Sequence, residues 1–129
     1  MSLLPTDRHY SATHQWALPL PDGSISVGIT DFAQEQLGDV MFVQLPEPGT
    51  EVKPEDACAL VESVKSASDV YPPVAGTILT VNNALRDEPG SVNSAPYLCW
   101  FFTMMPASTA ACDALLNAEQ YQTLIDQEV

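Results

Sequence analysis

Leu60-Val61-Glu62-Ser63-Val64-Lys65-Ser66-Ala67-Ser68-Asp69-Val70-Tyr71 decides the reading of this chain. Ala57 to Val64 is an extended apolar run, and a second occupies Val70 to Val81, where Pro72, Pro73 and Gly76 break it into short pieces. Between the two lies Lys65 among small residues, where a β-turn projects its amine into solvent. Read from spacing alone, the segment is a hairpin with a solvated lysine at its tip.

Working outward, the other elements are also short. Asp22-Gly23 suits a tight turn because glycine accepts positive φ, and Ser24 to Ile29 alternates polar with apolar, as a half-buried strand does. Thr30-Asp31 precedes Phe32-Ala33-Gln34-Glu35-Gln36-Leu37 and then Gly38, which predicts an N-cap, a short amphipathic helix and a left-handed C-terminal cap. Met41 to Leu45 reads as a strand and Pro46-Glu47-Pro48-Gly49 as a turn. Residues 82 to 97 read as a loop with a short helical turn, and Leu98 to Met105 as a final strand. Ser108 caps a helix running to about Leu116, and Ala118 to Gln127 forms a second with Tyr121, Leu124 and Ile125 on one face. The expectation is one all-β domain over residues 1–129, with short peripheral helices, a flexible N-terminus over about 1–8 and C-terminal helices over about 108–127.

Composition bounds the function. In 129 residues, 17 acidic groups face four basic ones, a formal charge of −13. Such a field repels phosphate backbones and anionic headgroups, so nucleic acid and membrane surfaces are excluded as partners. No apolar stretch is long enough to span a bilayer, and the N-terminus does not read as a targeting segment, so a cytoplasmic bacterial location is expected. Cys58, Cys99 and Cys112 are odd in number and far apart, which predicts reduced thiols rather than a disulfide framework or zinc knuckle. His9 and His14 are too far apart for adjacent helical turns, and no metal site is expected. There is no nucleophile elbow, phosphate loop or dinucleotide fingerprint, so the chain is not expected to be an enzyme. Lysine is a mostly protonated, weak nucleophile at neutral pH, so acylating Lys65 requires another enzyme.

Several stretches together are specific: Thr13-His14-Gln15-Trp16, Val27 through Asp39, Phe42 through Gly49, Val61 through Asp69, and Pro73-Val74-Ala75-Gly76. On these the chain resembles the H protein of the glycine cleavage system, a lipoyl carrier, over nearly its whole length. The resemblance implies a barrel-sandwich hybrid of two antiparallel sheets, the lipoyl/biotinyl type of fold. It places covalent lipoate on Lys65, within a hairpin formed by Glu62, Ser63, Val64, Ser66, Ser68 and Asp69. A biotin carrier would flank its lysine with methionines, whereas Val64 and Ser66 stand here.

The same resemblance implies that an aminomethyl group and reducing equivalents travel on Lys65 between three enzymes. These are a pyridoxal-phosphate glycine decarboxylase, a tetrahydrofolate-dependent aminomethyltransferase and dihydrolipoyl dehydrogenase; a lipoate ligase or lipoyl/octanoyl transferase would attach the arm. It also implies a sheltering cleft at Thr13, His14, Gln15 and Asp69. Two departures stand out. The family usually has glutamate where this chain has Gln15, and a neutral amide forgoes the charge-assisted part of a contact to an ammonium group. In Pro96-Tyr97-Leu98-Cys99-Trp100-Phe101-Phe102-Thr103-Met104-Met105 the usual turn glycine is missing, and Thr103 and Met105 replace alternating lysines. Two alternatives therefore stay open: an H-like protein that relays lipoate, and an unlipoylated acidic interaction module with the same fold.

Overall fold

The computed structural model describes residues 4–108 and 111–128. Among the described residues, nine strands form two antiparallel sheets. The larger orders β1 (His9–Tyr10), β2 (Gln15–Pro19), β3 (Ile25–Ile29), β9 (Phe102–Pro106), β8 (Gly76–Val81) and β5 (Glu51–Val52); the smaller orders β4 (Val40–Gln44), β6 (Ala59–Ser63) and β7 (Ala67–Val70). Side chains from both sheets meet in one core that includes Val27, Val43, Val61, Ile78, Phe102 and Met104. The expected barrel-sandwich hybrid is what these sheets form.

Local chemistry explains the elements that position the site. Leu20 to Ser24 turns the β2–β3 hairpin, with Gly23 at φ 90° and the Asp22 carboxylate accepting from the Ser24 N–H at 3.0 Å. Helix α1 (Asp31–Leu37) begins where Thr30 Oγ1 accepts from the Ala33 N–H, and ends at Gly38, whose φ of 78° disfavours a β-carbon. Gly28 faces Trp16 across β2 and β3 because nothing larger fits: a Cβ there would lie 2.5 Å from the indole.

Three expectations are corrected. The last strand does not begin at Leu98. Residues 96–98 form a turn in which Ala95 C=O accepts from the N–H groups of Leu98 and Cys99, and pairing starts at Phe102. The 82–97 segment holds two helical turns, α2 (Ala84–Asp87) and α3 (Ser91–Ser94), rather than one. The helix expected from Ser108 to about Leu116 is only a 3-10 turn, Ala111–Ala114; Thr109 and Ala110 lie outside the described residues. The helix fails because Leu116 is claimed by a strand-like bridge, exchanging two 2.8 Å backbone hydrogen bonds with Tyr10. Helix α4 (Ala118–Glu128) follows, with Tyr121, Leu124 and Ile125 packed with Tyr10 and Trp16.

At the other end of the chain, residues 1–3 lie outside the described residues. From residue 5 the N-terminal segment makes specific contacts: Tyr10 donates its hydroxyl to the Pro5 C=O at 2.6 Å, and Arg8 donates to the Tyr97 C=O at 2.9 Å while lying over the Trp16 ring.

Candidate functional site

The turn that carries Lys65 is built by one side chain. Ser63 Oγ accepts the N–H groups of Lys65 (3.2 Å) and Ser66 (3.1 Å) and donates to the Ser66 C=O (3.1 Å), while the Ser63 N–H donates to the same carbonyl at 2.8 Å. Four hydrogen bonds fix the loop backbone between β6 and β7. A fifth, Val64 N–H to Asp39 C=O at 3.1 Å, ties the tip to the chain just beyond α1. The Lys65 side chain is exposed and runs along Gly38, where a Cβ would stand 3.0 Å from its Cε. The arrangement holds the lysine's backbone rigidly and leaves its side chain open to solvent.

Beside the turn opens a cleft of about 420 Å³. Its walls come from Thr13 and His14 leading into β2 and its first residue Gln15, from α1 (Phe32, Ala33, Gln36, Leu37), from residues 66–70, and from Ile29 and Val61. The lining is mixed: Ile29, Phe32, Ala33, Leu37, Val61 and Val70 give it an apolar side, and Thr13, Gln15, Gln36, Ser66 and Ser68 a polar one. Asp69, exposed on the edge strand β7, is the one carboxylate among the lining residues described.

His14 has φ 73°, the only positive value among the described residues other than glycine, a conformation that persists where surrounding contacts over-determine it. Those contacts are present. The Thr30 N–H donates to His14 C=O at 3.1 Å, His14 Nδ1 shares a 2.7 Å hydrogen bond with the Tyr121 hydroxyl, and the Phe32 ring lies 4.8 Å away. The imidazole is thereby hydrogen-bonded beside the first strands.

Gln15 is buried, and its carboxamide is closed on its neighbours. Oε1 accepts from the hydroxyls of Ser11 (2.8 Å) and Thr13, and Nε2 donates to the Thr13 C=O at 2.8 Å.

The structure therefore brings Thr13, His14, Gln15, Ser66, Ser68 and Asp69 around one cavity, with Lys65 at its side. Ser63 builds the turn. Glu62 and Val64 are outside the cleft: Glu62 is exposed opposite Phe42, and Val64 is exposed at the tip. The sequence reading missed the α1 wall, although Phe32, Gln36 and Leu37 were legible as parts of an amphipathic helix, and missed Tyr121, which no local pattern connects to His14. Among the described residues no group of three His, Cys, Asp or Glu could hold a metal ion, and no helix is long and apolar enough to cross a membrane.

Two antiparallel sheets presenting a lysine on a hydrogen-bonded turn beside a part-apolar cleft define a carrier-type barrel-sandwich domain. Comparison with known proteins agrees. A family model described as glycine cleavage H-protein matches residues 8–128, and the chain belongs to that family. The glycine cleavage system H protein of Shewanella sp. (strain ANA-3) is 51% identical over 129 residues, covering 99% of this chain and all of the relative. That of Shewanella baltica (strain OS155) is 50% identical with the same coverage. The crystal structure of a glycine cleavage system H protein from Mycobacterium marinum superposes with a TM-score of 0.86 at 40% identity, over 95% of this chain and 99% of the other.

Proposed function

We propose that the chain is the lipoyl carrier of the glycine cleavage system, with lipoate joined to Lys65 by an amide. The observation that carries this reading is the exposed lysine on a rigid turn, next to a cleft whose Ile29, Phe32, Ala33, Leu37, Val61 and Val70 suit a hydrocarbon arm. When bound, the dithiolane would supply a disulfide able to take up an aminomethyl group and two electrons. This chain's residues would do the rest. Ser63 holds the turn, Gly38 leaves room for the lysine stem, and the cleft walls exclude water from whatever enters. Asp69 offers a carboxylate to a cationic group at the rim. The carrier contributes reach and effective concentration, and bond-making belongs to glycine decarboxylase, aminomethyltransferase and dihydrolipoyl dehydrogenase.

Incubating the lipoylated chain with its decarboxylase and glycine tests the role. Glycine-dependent mass gain on the carrier is expected; none would contradict shuttling. A second reading, relay of lipoate to other lipoyl domains, is favoured by Gln15, whose amide is spent on Thr13 and Ser11 and cannot pair with an ammonium group as a carboxylate could. On that reading the same incubation leaves the carrier unloaded, and a separate one with an amidotransferase and an acceptor lipoyl domain moves the lipoyl acyl group from the Lys65 nitrogen to the acceptor's lysine amine.

A further inference from the structure

Strand β4 breaks the alternation of a regular strand. Its register against β6 shifts between Val40, opposite Ser63, and Phe42, opposite Glu62. Because of this bulge Met41 and Phe42, consecutive in sequence, both face solvent, 61% and 48% exposed, while Val40 and Val43 stay buried. Bulges commonly re-aim side chains beside functional sites. Here two large apolar groups are turned outward on the strand next to the lysine turn, and Val64, 63% exposed at the turn itself, adds a third. Among the described residues, the other large exposed apolar side chains lie elsewhere: Leu79 and Met105 on the larger sheet, Leu98 in the 96–98 turn.

The border of this patch is acidic. Glu62 is the cross-strand neighbour of Phe42, Asp39 accepts the Val64 N–H, and both are exposed. The one cation on this turn is Lys65 itself. An unmodified lysine reaches only as far as its four-carbon stem, so an enzyme that acylates it must press its own body against the turn and β4.

We propose that the outer face of the β4–β6–β7 sheet around Met41 and Phe42 is the docking surface for the enzyme that acylates Lys65, which meets it with a shallow apolar notch bordered by lysine or arginine. The inference rests on the lysine reading above and names the partner of that site. In the reaction the deprotonated Lys65 amine attacks the carbonyl of an acyl adenylate, an amide C–N bond forms, AMP leaves with the electrons of the broken C–O bond, and the proton shed by the nitrogen passes to solvent.

The test titrates the unmodified full chain against a purified lipoate–protein ligase with lipoate and ATP. Replacing both Met41 and Phe42 by serine should raise KM about tenfold with kcat within about twofold, the range expected on truncating interface anchors. Phe42→Thr, which keeps a strand-forming residue, should raise KM in the same direction without unfolding the sheet, and added salt should raise the KM of the unaltered chain. Leu79→Ser, loss of an exposed apolar side chain on the other sheet, should leave KM unchanged. A folded Phe42→Thr chain acylated at the unaltered KM overturns the docking face and leaves Lys65 as the site. An unaltered chain that takes no acyl group, or one that still takes it when Lys65 is alanine, overturns the lysine reading and this inference with it.

Discussion

Nδ1 of His14 and the hydroxyl of Tyr121 lie 2.7 Å apart, joining the cleft wall to a helix 107 residues further along the chain. The same hydroxyl is 2.7 Å from Thr30 Oγ1, which already accepts the Ala33 N–H as the cap of α1. Thr30 is fully buried, and the hydroxyl–hydroxyl hydrogen bond to Tyr121 keeps its side chain satisfied there. One phenol thus links two walls of the cleft, β2 and α1, and its ring stacks on Tyr10 at 4.9 Å. Tyr121→Phe keeps the stacking and strips the Thr30 hydroxyl of this partner. The expected loss is about 1–3 kcal/mol in urea unfolding. A variant as stable as the parent would show that the hydroxyl carries no structural weight.

Gly28→Ala should be severe for its size. The added methyl would enter the Trp16 ring, itself fixed by donation from Nε1 to the Pro96 C=O at 3.0 Å. Overpacking of this kind costs about 1–3 kcal/mol, and more where the neighbour cannot move. Thermal unfolding read by tryptophan fluorescence checks this; an unshifted midpoint would mean that the indole relocates freely.

Alkali should destabilise the fold before ordinary lysine titration explains it. Burial pushes the Cys58 thiol from 9.0 up to about 12, and burial, with lesser effects from Tyr97 and other neighbours, raises the Tyr10 phenol above 10.0. The folded chain keeps protons that the unfolded chain has released. The stabilisation is therefore complete below about pH 9 and is lost progressively between there and about pH 12. Melting temperature should fall through that window, less steeply in Cys58→Ala; equal slopes would remove Cys58 from the account.

Gln15→Glu tests the chain's departure at the cleft. A glutamate would point a second oxygen at the Thr13 C=O now receiving the Nε2 donation, costing the resting chain about 1–3 kcal/mol. A cationic group in the cleft would relieve that repulsion. Ammonia release from the aminomethyl-loaded carrier should therefore slow, and an unchanged rate would reject a role for this position.

The elements that were legible in the sequence are those made by neighbours. Asp22-Gly23 turns one hairpin, Thr30 and Gly38 bound α1, and Ser63 to Ser66 closes the lysine turn, all through contacts within a few residues. Asn117 was equally local and was overlooked. It accepts from the Gln120 N–H while Gln120 accepts from its own, a reciprocal cap that starts α4 and marks why no helix runs through Leu116. What could not be read is set by distant partners. The Tyr10–Leu116 bridge, the bulge at Met41 and the Tyr121–His14 link depend on how separate strands and helices meet, and periodicity carries no record of that.

The central claim is that Lys65 is the tether. Intact mass of the chain from its native host, with and without Lys65→Ala, tests it most directly. The account requires one lipoyl increment on the unaltered chain and none on the variant. An increment that survives the substitution, or an unaltered chain that never carries one, would contradict it.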